Sequence, residues 1–182
     1  MQNDSIEIEE IAFSGGHVQA FAYLGVFKNI NLSKVKRYVA SSAGAIISFL
    51  IILGYSPERI ENIILKLPLE KCMEVTSQDI LSFLDNFGTV STARLINILR
   101  VFCKYADIDE NITFEQLYEE KKIDFSVISY CVTDQKSVEW CFSKTPQMSV
   151  LKSIEMSIAI PIIYRPVQFN GKIYVDGGIL DN

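Results

Sequence analysis

The stretch Tyr38-Val39-Ala40-Ser41-Ser42-Ala43-Gly44-Ala45 joins one apolar segment to another through a run of small residues. A sharp turn that projects a serine from the end of a strand needs small neighbours two positions before and after it, usually glycines. Ala40 and Gly44 stand at those two positions. The stretch therefore indicates a nucleophile elbow with Ser42 at its apex, although a serine before a helix also serves as an ordinary N-cap.

The segments around this turn alternate between strand and helix patterns. We predict strands over Ile6 to Phe13 and Val35 to Ala40, each followed by a helix, over Ala20 to Ile30 and from Ala43 to Gly54. Strand, helix, strand, helix in this order predicts an α/β fold with a mostly parallel central sheet flanked by helices on both faces, in three layers with a helical middle segment. The remaining predicted helices are Ser56 to about Lys66, Gln78 to Leu84, Thr92 to Tyr105, a shorter one from Thr113, and Met148 to Ile158. The remaining predicted strands are Asp124 to Thr133 and Ser137 to Phe142. A hairpin pairs Val167 to Phe169 with Lys172 to Val175 around the turn Asn170-Gly171.

Length and composition narrow the function classes. The 182 residues, 49% of them apolar and 21% charged, are typical of one globular domain spanning 1–182. The net charge of -5 and the lack of a Lys/Arg block argue against a nucleic acid partner. The widely spaced cysteines indicate no metal site. Because the apolar run Ala43 to Leu53 is shorter than the roughly 20 residues that span a bilayer, we expect a cytoplasmic protein, with peripheral association at membranes left open.

A serine nucleophile needs a base, and the chain offers few. In hydrolases with a nucleophile elbow the histidine follows the serine, whereas His17, the only histidine, precedes Ser42. Asp176 stands at the end of the strand Ile173-Tyr174-Val175, and Gly177 and Gly178 follow it. A carboxylate there could approach another strand end closely, although Asp-Gly is also a common turn. The sequence thus favours a dyad of Ser42 and Asp176 over a triad.

The turn after the first strand is rich in glycine. Gly15 and Gly16 lie between a predicted strand and helix, with His17 and Val18 next. Adjacent glycines allow backbone N–H groups to face an anion, as in the oxyanion hole of acyl transfer. Neither a G-x-G-x-x-G nor a Gly-Lys-Ser/Thr phosphate motif is present.

Three segments in this order resemble the patatin-like phospholipases. They are SGGHVQAFAYLGVFK, then VASSAGAIISFLIILGYSPERI, then SIAIPIIYRPVQFNGKIYVDGGILDN. The resemblance implies a lipid acyl hydrolase with Ser42 as nucleophile and Asp176 as base, and with the N–H groups of Gly15, Gly16 and His17 holding the oxyanion. It also implies a phospholipid or other fatty-acyl ester substrate and no metal or other cofactor.

The glycine turn departs from the family pattern. His17 replaces the third loop glycine, Gln19 replaces a basic residue, and Ala20 replaces another glycine. A catalytically weak or inactive binding protein on the same fold is therefore an alternative, as is an acyltransferase or thioesterase. Because the chain stops at Asn182, soon after Asp176, we also expect a short or truncated member of the family.

Overall fold

A computed structural model describes residues 8–67, 74–81, 83 and 87–180 of the chain. The strands are β1 (Glu10–Phe13), β2 (Arg37–Ser41), β3 (Gly88–Val90), β4 (Asp124–Cys131), β5 (Lys136–Cys141), β6 (Ile162–Tyr164), β7 (Val167–Phe169) and β8 (Lys172–Asp176). The α-helices are α1 (Ala22–Phe27), α2 (Ala43–Ile52), α3 (Pro57–Ile64), α4 (Ser77–Leu81), α5 (Ala93–Tyr105), α6 (Phe114–Lys121) and α7 (Val150–Ser157). Short 3₁₀ turns cover His17–Phe21, Leu32–Lys34 and Gly177–Ile179.

The predicted α/β fold with a central sheet flanked by helices is confirmed. Its main sheet has six strands: β1, β2 and β4 run parallel, whereas β5 and β8 are antiparallel to β4, and β7 is antiparallel to β8. The sheet is therefore mixed rather than mostly parallel. The physical reason is the short connections after β4 and β7, because a parallel return needs a crossover of a dozen or more residues.

Aromatic side chains on one face of the sheet carry much of the core. Phe13 on β1 contacts Phe27 of α1 and Tyr38 of β2, with ring centroids 5.1 and 6.0 Å apart. Phe125 of β4 packs against Phe49 of α2 at 6.3 Å. Phe49 is fully buried, so truncation to alanine would cost about 3–5 kcal/mol. These contacts hold α1 and α2 against the strands that precede them.

Local turn chemistry predicts the last hairpin correctly. Asn170 and Gly171 both have positive φ, 48° and 72°, the backbone that a two-residue type I′ turn requires. The helix predicted over Thr92 to Tyr105 is also present as α5, and its residues Ile96, Leu99 and Phe102 are buried in the core.

Several predicted boundaries are wrong. The predicted helix over Ala20 to Ile30 begins as the 3₁₀ turn His17–Phe21 and continues as the shorter α1. The middle segment is less helical than predicted, because β3 pairs with β6 in a separate two-stranded sheet. Part of the predicted first strand, residues 6–7, and residues 82 and 84 of the predicted helix over Gln78 to Leu84 lie outside the described residues.

Candidate active site

The ends of β2 and β8 meet on one edge of β4. In the strand register Ser41 lies opposite Ile128, and Asp176 lies opposite Ser129, the next residue of β4. Because β5 pairs with Ser126 to Cys131 along the other edge, β2 and β8 share the remaining edge and run toward each other. The carboxyl ends of two strands that are far apart in sequence therefore face each other across one position of the sheet.

The turn from β2 into α2 has the geometry of a nucleophile elbow. Ser42 has φ 53° and ψ -128°, a conformation that costs a non-glycine residue about 1–3 kcal/mol and persists only where its surroundings hold it. Its side chain caps no backbone group of α2, so the alternative of an ordinary N-cap is wrong. The hydroxyl is instead available for a contact outside the helix.

The two small residues predicted around Ser42 have clear steric roles. A Cβ atom on Gly44 would lie 2.7 Å from Cβ of Phe13 and 2.8 Å from the carbonyl oxygen of Ser14, closer than real Cβ atoms approach. Glycine here lets the start of α2 pack directly on the end of β1. Ala40, 1% exposed, fills the sheet position between Phe13 and Val127 of the neighbouring strands. The elbow and the glycine turn after β1 are thereby brought side by side.

Ser42 and Asp176 form a buried hydrogen-bonded pair. Ser42 Oγ donates to Asp176 Oδ2 at 2.5 Å, and the backbone N–H of Gly178 donates to Asp176 Oδ1 at 2.8 Å. Both side chains belong to residues only 5% exposed. Burial raises the pKa of the Asp176 carboxyl above its ordinary value of 3.8, and the hydrogen bonds from Ser42 and Gly178 partly oppose this. A carboxylate with a raised pKa is a stronger base for the serine proton.

Gly177 allows the chain to leave β8 without a clash. A Cβ atom at this position would overlap the backbone carbonyl of Ile128, so only glycine fits. The 3₁₀ turn Gly177–Ile179 then directs the N–H of Gly178 back to the carboxylate. The two glycines after Asp176 thus have separate functions, one in close packing and one in orienting the carboxylate.

Ser157, which the sequence does not single out, contacts the Ser42–Asp176 pair. Ser157, the last residue of α7, accepts a hydrogen bond from the backbone N–H of Ser42 at 2.8 Å. Its own hydroxyl donates to the carbonyl of Ile128 at 2.5 Å. The only signal in the sequence is a serine at the end of an apolar helix shortly before Pro161, a pattern too common to identify it.

The predicted oxyanion turn lies beside the elbow but has few hydrogen bonds of its own. Its backbone continues from Ser14 into the 3₁₀ turn that starts at His17, and the N–H of Gln19 donates to the carbonyl of Gly16 at 2.9 Å. Ser14 Oγ and the Tyr23 hydroxyl share a hydrogen bond of 2.6 Å. The backbone of Gly15, Gly16, His17 and Val18 thus lies between β1 and α1, next to the start of α2.

The described part of the chain meets neither the requirements of a metal cluster nor those of a membrane-spanning helix. Its histidine, cysteine and acidic side chains form no group of three or more that could hold a metal ion. None of its helices is long and apolar enough to cross a membrane.

Comparison with known proteins identifies the family. The family model described as patatin-like phospholipase matches residues 11–182. The chain belongs to this family. Two curated relatives match over 94% of the chain: "Probable lipid hydrolase 463L" of Invertebrate iridescent virus 6 and "Uncharacterized protein R571" of Acanthamoeba polyphaga mimivirus, each 27% identical. The chain spans 60% and 58% of the length of these two relatives.

Solved structures share the patatin-like fold. VipD from Legionella pneumophila superposes with a TM-score of 0.70 at 18% identity, over 98% of this chain and 47% of that one. ExoU from the type III secretion system of Pseudomonas aeruginosa, solved in complex with SpcU, gives a TM-score of 0.60 at 18% identity, over 84% of this chain and 38% of that one. At this level of identity the similarity shows the fold alone.

Proposed function

We propose that the protein is a lipid acyl hydrolase of the phospholipase A type, in which Ser42 forms an acyl-enzyme and Asp176 is the base. The observation that carries this proposal is the 2.5 Å hydrogen bond from Ser42 Oγ to Asp176 Oδ2, in a buried pair of which Ser42 has a strained backbone. Membership of the patatin-like phospholipase family supports a fatty-acyl ester as substrate.

In the first half of the reaction Asp176 Oδ2 takes the proton of Ser42 as the serine oxygen attacks the ester carbonyl carbon. The carbonyl oxygen becomes an oxyanion, which we assign to backbone N–H groups of Gly15, Gly16, His17 and Val18. The C–O bond to the alcohol then breaks, and the departing oxygen takes the proton from Asp176. The fatty-acyl group remains esterified to Ser42.

The second half repeats these steps with water. Asp176 takes a proton from a water molecule, whose oxygen attacks the acyl carbon. The bond to Ser42 Oγ breaks as the serine recovers its proton from Asp176, and the fatty acid leaves. The hydrogen bond from Gly178 keeps the carboxylate oriented through both halves, since it uses the oxygen that does not face the serine.

The start of α2 adds a favourable electrostatic setting. The first N–H groups of a helix lack intrahelical partners and carry partial positive charge, which stabilises negative charge nearby. Ser42 immediately precedes Ala43, the first residue of α2. The oxyanion that forms on the substrate carbonyl would therefore lie near both the helix start and the glycine turn.

Turnover of a chromogenic fatty-acyl ester and of phospholipid vesicles tests the proposal. Ser42→Ala should reduce turnover by about 10⁴-fold or more, since removing a nucleophile that acts with its base removes their joint effect. Ser48→Ala is the matched control, because Ser48 is a fully buried serine of the same helix whose hydroxyl bonds only the carbonyl of Gly44. Equal turnover by Ser42→Ala and Ser48→Ala would contradict the proposal.

A further inference from the structure

The β2–β4 ladder ends at the nucleophile. Ser41 is the last residue of β2 in register with β4, opposite Ile128. Ser42 follows this last paired residue, and its N–H donates to the Ser157 hydroxyl rather than to a carbonyl of β4. The hydroxyl of Ser157 is inserted there, accepting from the N–H of Ser42 at 2.8 Å and donating to the carbonyl of Ile128 at 2.5 Å.

The two serines of this bridge are buried, and Ile128 is partly buried. Ser157 has no exposed surface and Ser42 is 5% exposed, so water has little access to the N–H that donates to the Ser157 hydroxyl. A buried N–H or C=O without a partner is costly, and such groups are almost always paired in folded proteins. The Ser157 hydroxyl therefore determines where the backbone of Ser42 lies relative to β4.

The segment around Ser157 also holds the other half of the dyad. Two residues further along, the carbonyl of Ala159 accepts a hydrogen bond from the backbone N–H of Asp176 at 2.9 Å. The end of α7 and the residues after it thus bind the main chain of both dyad residues. Neither bond uses the reacting atoms, Oγ of Ser42 and Oδ2 of Asp176.

We propose that Ser157 is a positioning residue for the reaction, whose hydroxyl fixes the main chain of the nucleophile at the distance from β4 that places Ser42 Oγ on Asp176. The inference rests on the proposed hydrolase function. Because the N–H of Ser42 donates to the Ser157 hydroxyl, the donors left for the oxyanion are those of the glycine turn and of the first residues of α2. The hydrogen bonds of the Ser157 hydroxyl go to the main chain of Ser42 and Ile128.

This role has a kinetic signature. Loss of the bridge should displace Ser42 Oγ and lower kcat, because displacement of a reacting group by about 1 Å can cost roughly a hundredfold in rate. Substrate binding should be unaffected, so KM should stay the same. The acid limb of the pH profile should move to higher pH, because a displaced Ser42 Oγ loses the hydrogen bond that lowers the pKa of Asp176.

The test measures kcat, KM, the pH profile and the melting temperature of Ser157→Ala in the full chain. Ser153→Ala is the matched control, because Ser153 is a fully buried serine of the same helix whose hydroxyl donates to the carbonyl of Val150, within one turn of helix. If Ser157→Ala is not folded at the assay temperature, Ser157→Cys decides by the same comparison, since a thiol is a much weaker donor and acceptor.

We expect kcat of Ser157→Ala to fall about 10- to 100-fold relative to Ser153→Ala, with KM unchanged and the acid limb at higher pH. A kcat within about twofold of the control, or a rise in KM that accounts for the whole loss, would overturn the positioning role. If the wild-type chain turns over no ester and reacts with no serine-directed probe, the proposed function itself fails, and this inference fails with it.

Discussion

Two strand-to-helix turns of this chain lie side by side, and they are held by different means. The elbow at Ser42 is fixed by contacts distant in sequence: its hydroxyl bonds Asp176, and its N–H bonds Ser157. The glycine turn from Ser14 to Val18 is held by short-range bonds, from Gln19 to Gly16 and between Ser14 and Tyr23. The comparison teaches that contacts from distant parts of the chain hold the Ser42–Asp176 pair, whereas the hydrogen bonds described for the glycine turn come from within ten residues of it.

The two turns also differ in the space around their glycines. At the elbow a Cβ on Gly44 would collide with Phe13 and Ser14, so the position admits only glycine. In the glycine turn a Cβ on Gly16 would come no closer than 3.5 Å to the backbone of Ala20, an ordinary contact. Position 16 therefore has room for a side chain that position 44 lacks.

The largest expected effect is on catalysis and comes from Asp176→Asn. Loss of the base should reduce turnover by about 10⁴-fold. Because burial raises the pKa of Asp176, the folded state penalises its ionised form, and the neutral asparagine removes that penalty. We therefore expect a melting temperature at pH 7 no lower than that of the wild type. A large loss of stability with activity retained would show that Asp176 serves only the fold.

The pH dependence follows from the same group. Turnover requires ionised Asp176, so it should fall about tenfold per pH unit below a midpoint that lies above 3.8, the ordinary value of its pKa. The free energy of unfolding changes with pH in the opposite direction. A carboxyl whose pKa is raised by folding stabilises the protein at pH values below its pKa in the unfolded chain, and this stabilisation is lost as the pH rises through its pKa in the folded protein. Rate profiles beside melting curves of wild type and Asp176→Asn measure both. An acid limb at or below pH 3.8 would contradict this account.

A smaller effect is expected when one glycine of each turn is replaced by alanine and the free energies of unfolding are compared. Gly44→Ala should destabilise the protein by about 1–3 kcal/mol, because the added methyl overlaps Phe13 and Ser14. Gly16→Ala should change stability by less than about 0.5 kcal/mol, since its methyl makes only ordinary contacts. Denaturant unfolding of both variants measures the difference, and equal losses would break the comparison between the turns.

The smallest effect is expected in the glycine turn itself. If histidine is only tolerated at position 17, His17→Gly should leave the unfolding free energy nearly unchanged and raise turnover by about threefold or less, well under the effect of a full oxyanion donor. Steady-state kinetics on the chromogenic ester measure it. A loss of tenfold or more would instead assign His17 an active part in catalysis, as a donor in its own right.

The sequence predicts the features that depend on local chemistry. Small residues around Ser42 predict the elbow, and Asn170-Gly171 predicts the hairpin that carries Asp176. The strand β6 escapes prediction because Ile162 has φ 74°, which a β-branched residue adopts only under tertiary constraint. Ser157 escapes for a similar reason, since its role exists only once β2, β4 and α7 have come together.

The most direct measurement is labelling with a fluorophosphonate, which reacts only with an activated serine. Intact mass and peptide mapping should show one adduct on Ser42 in the wild type, none in Ser42→Ala, and labelling slowed about a thousandfold or more in Asp176→Asn. A wild-type chain that takes up no probe, or an adduct that persists in Ser42→Ala, would contradict the assignment of Ser42 and Asp176 as the catalytic dyad.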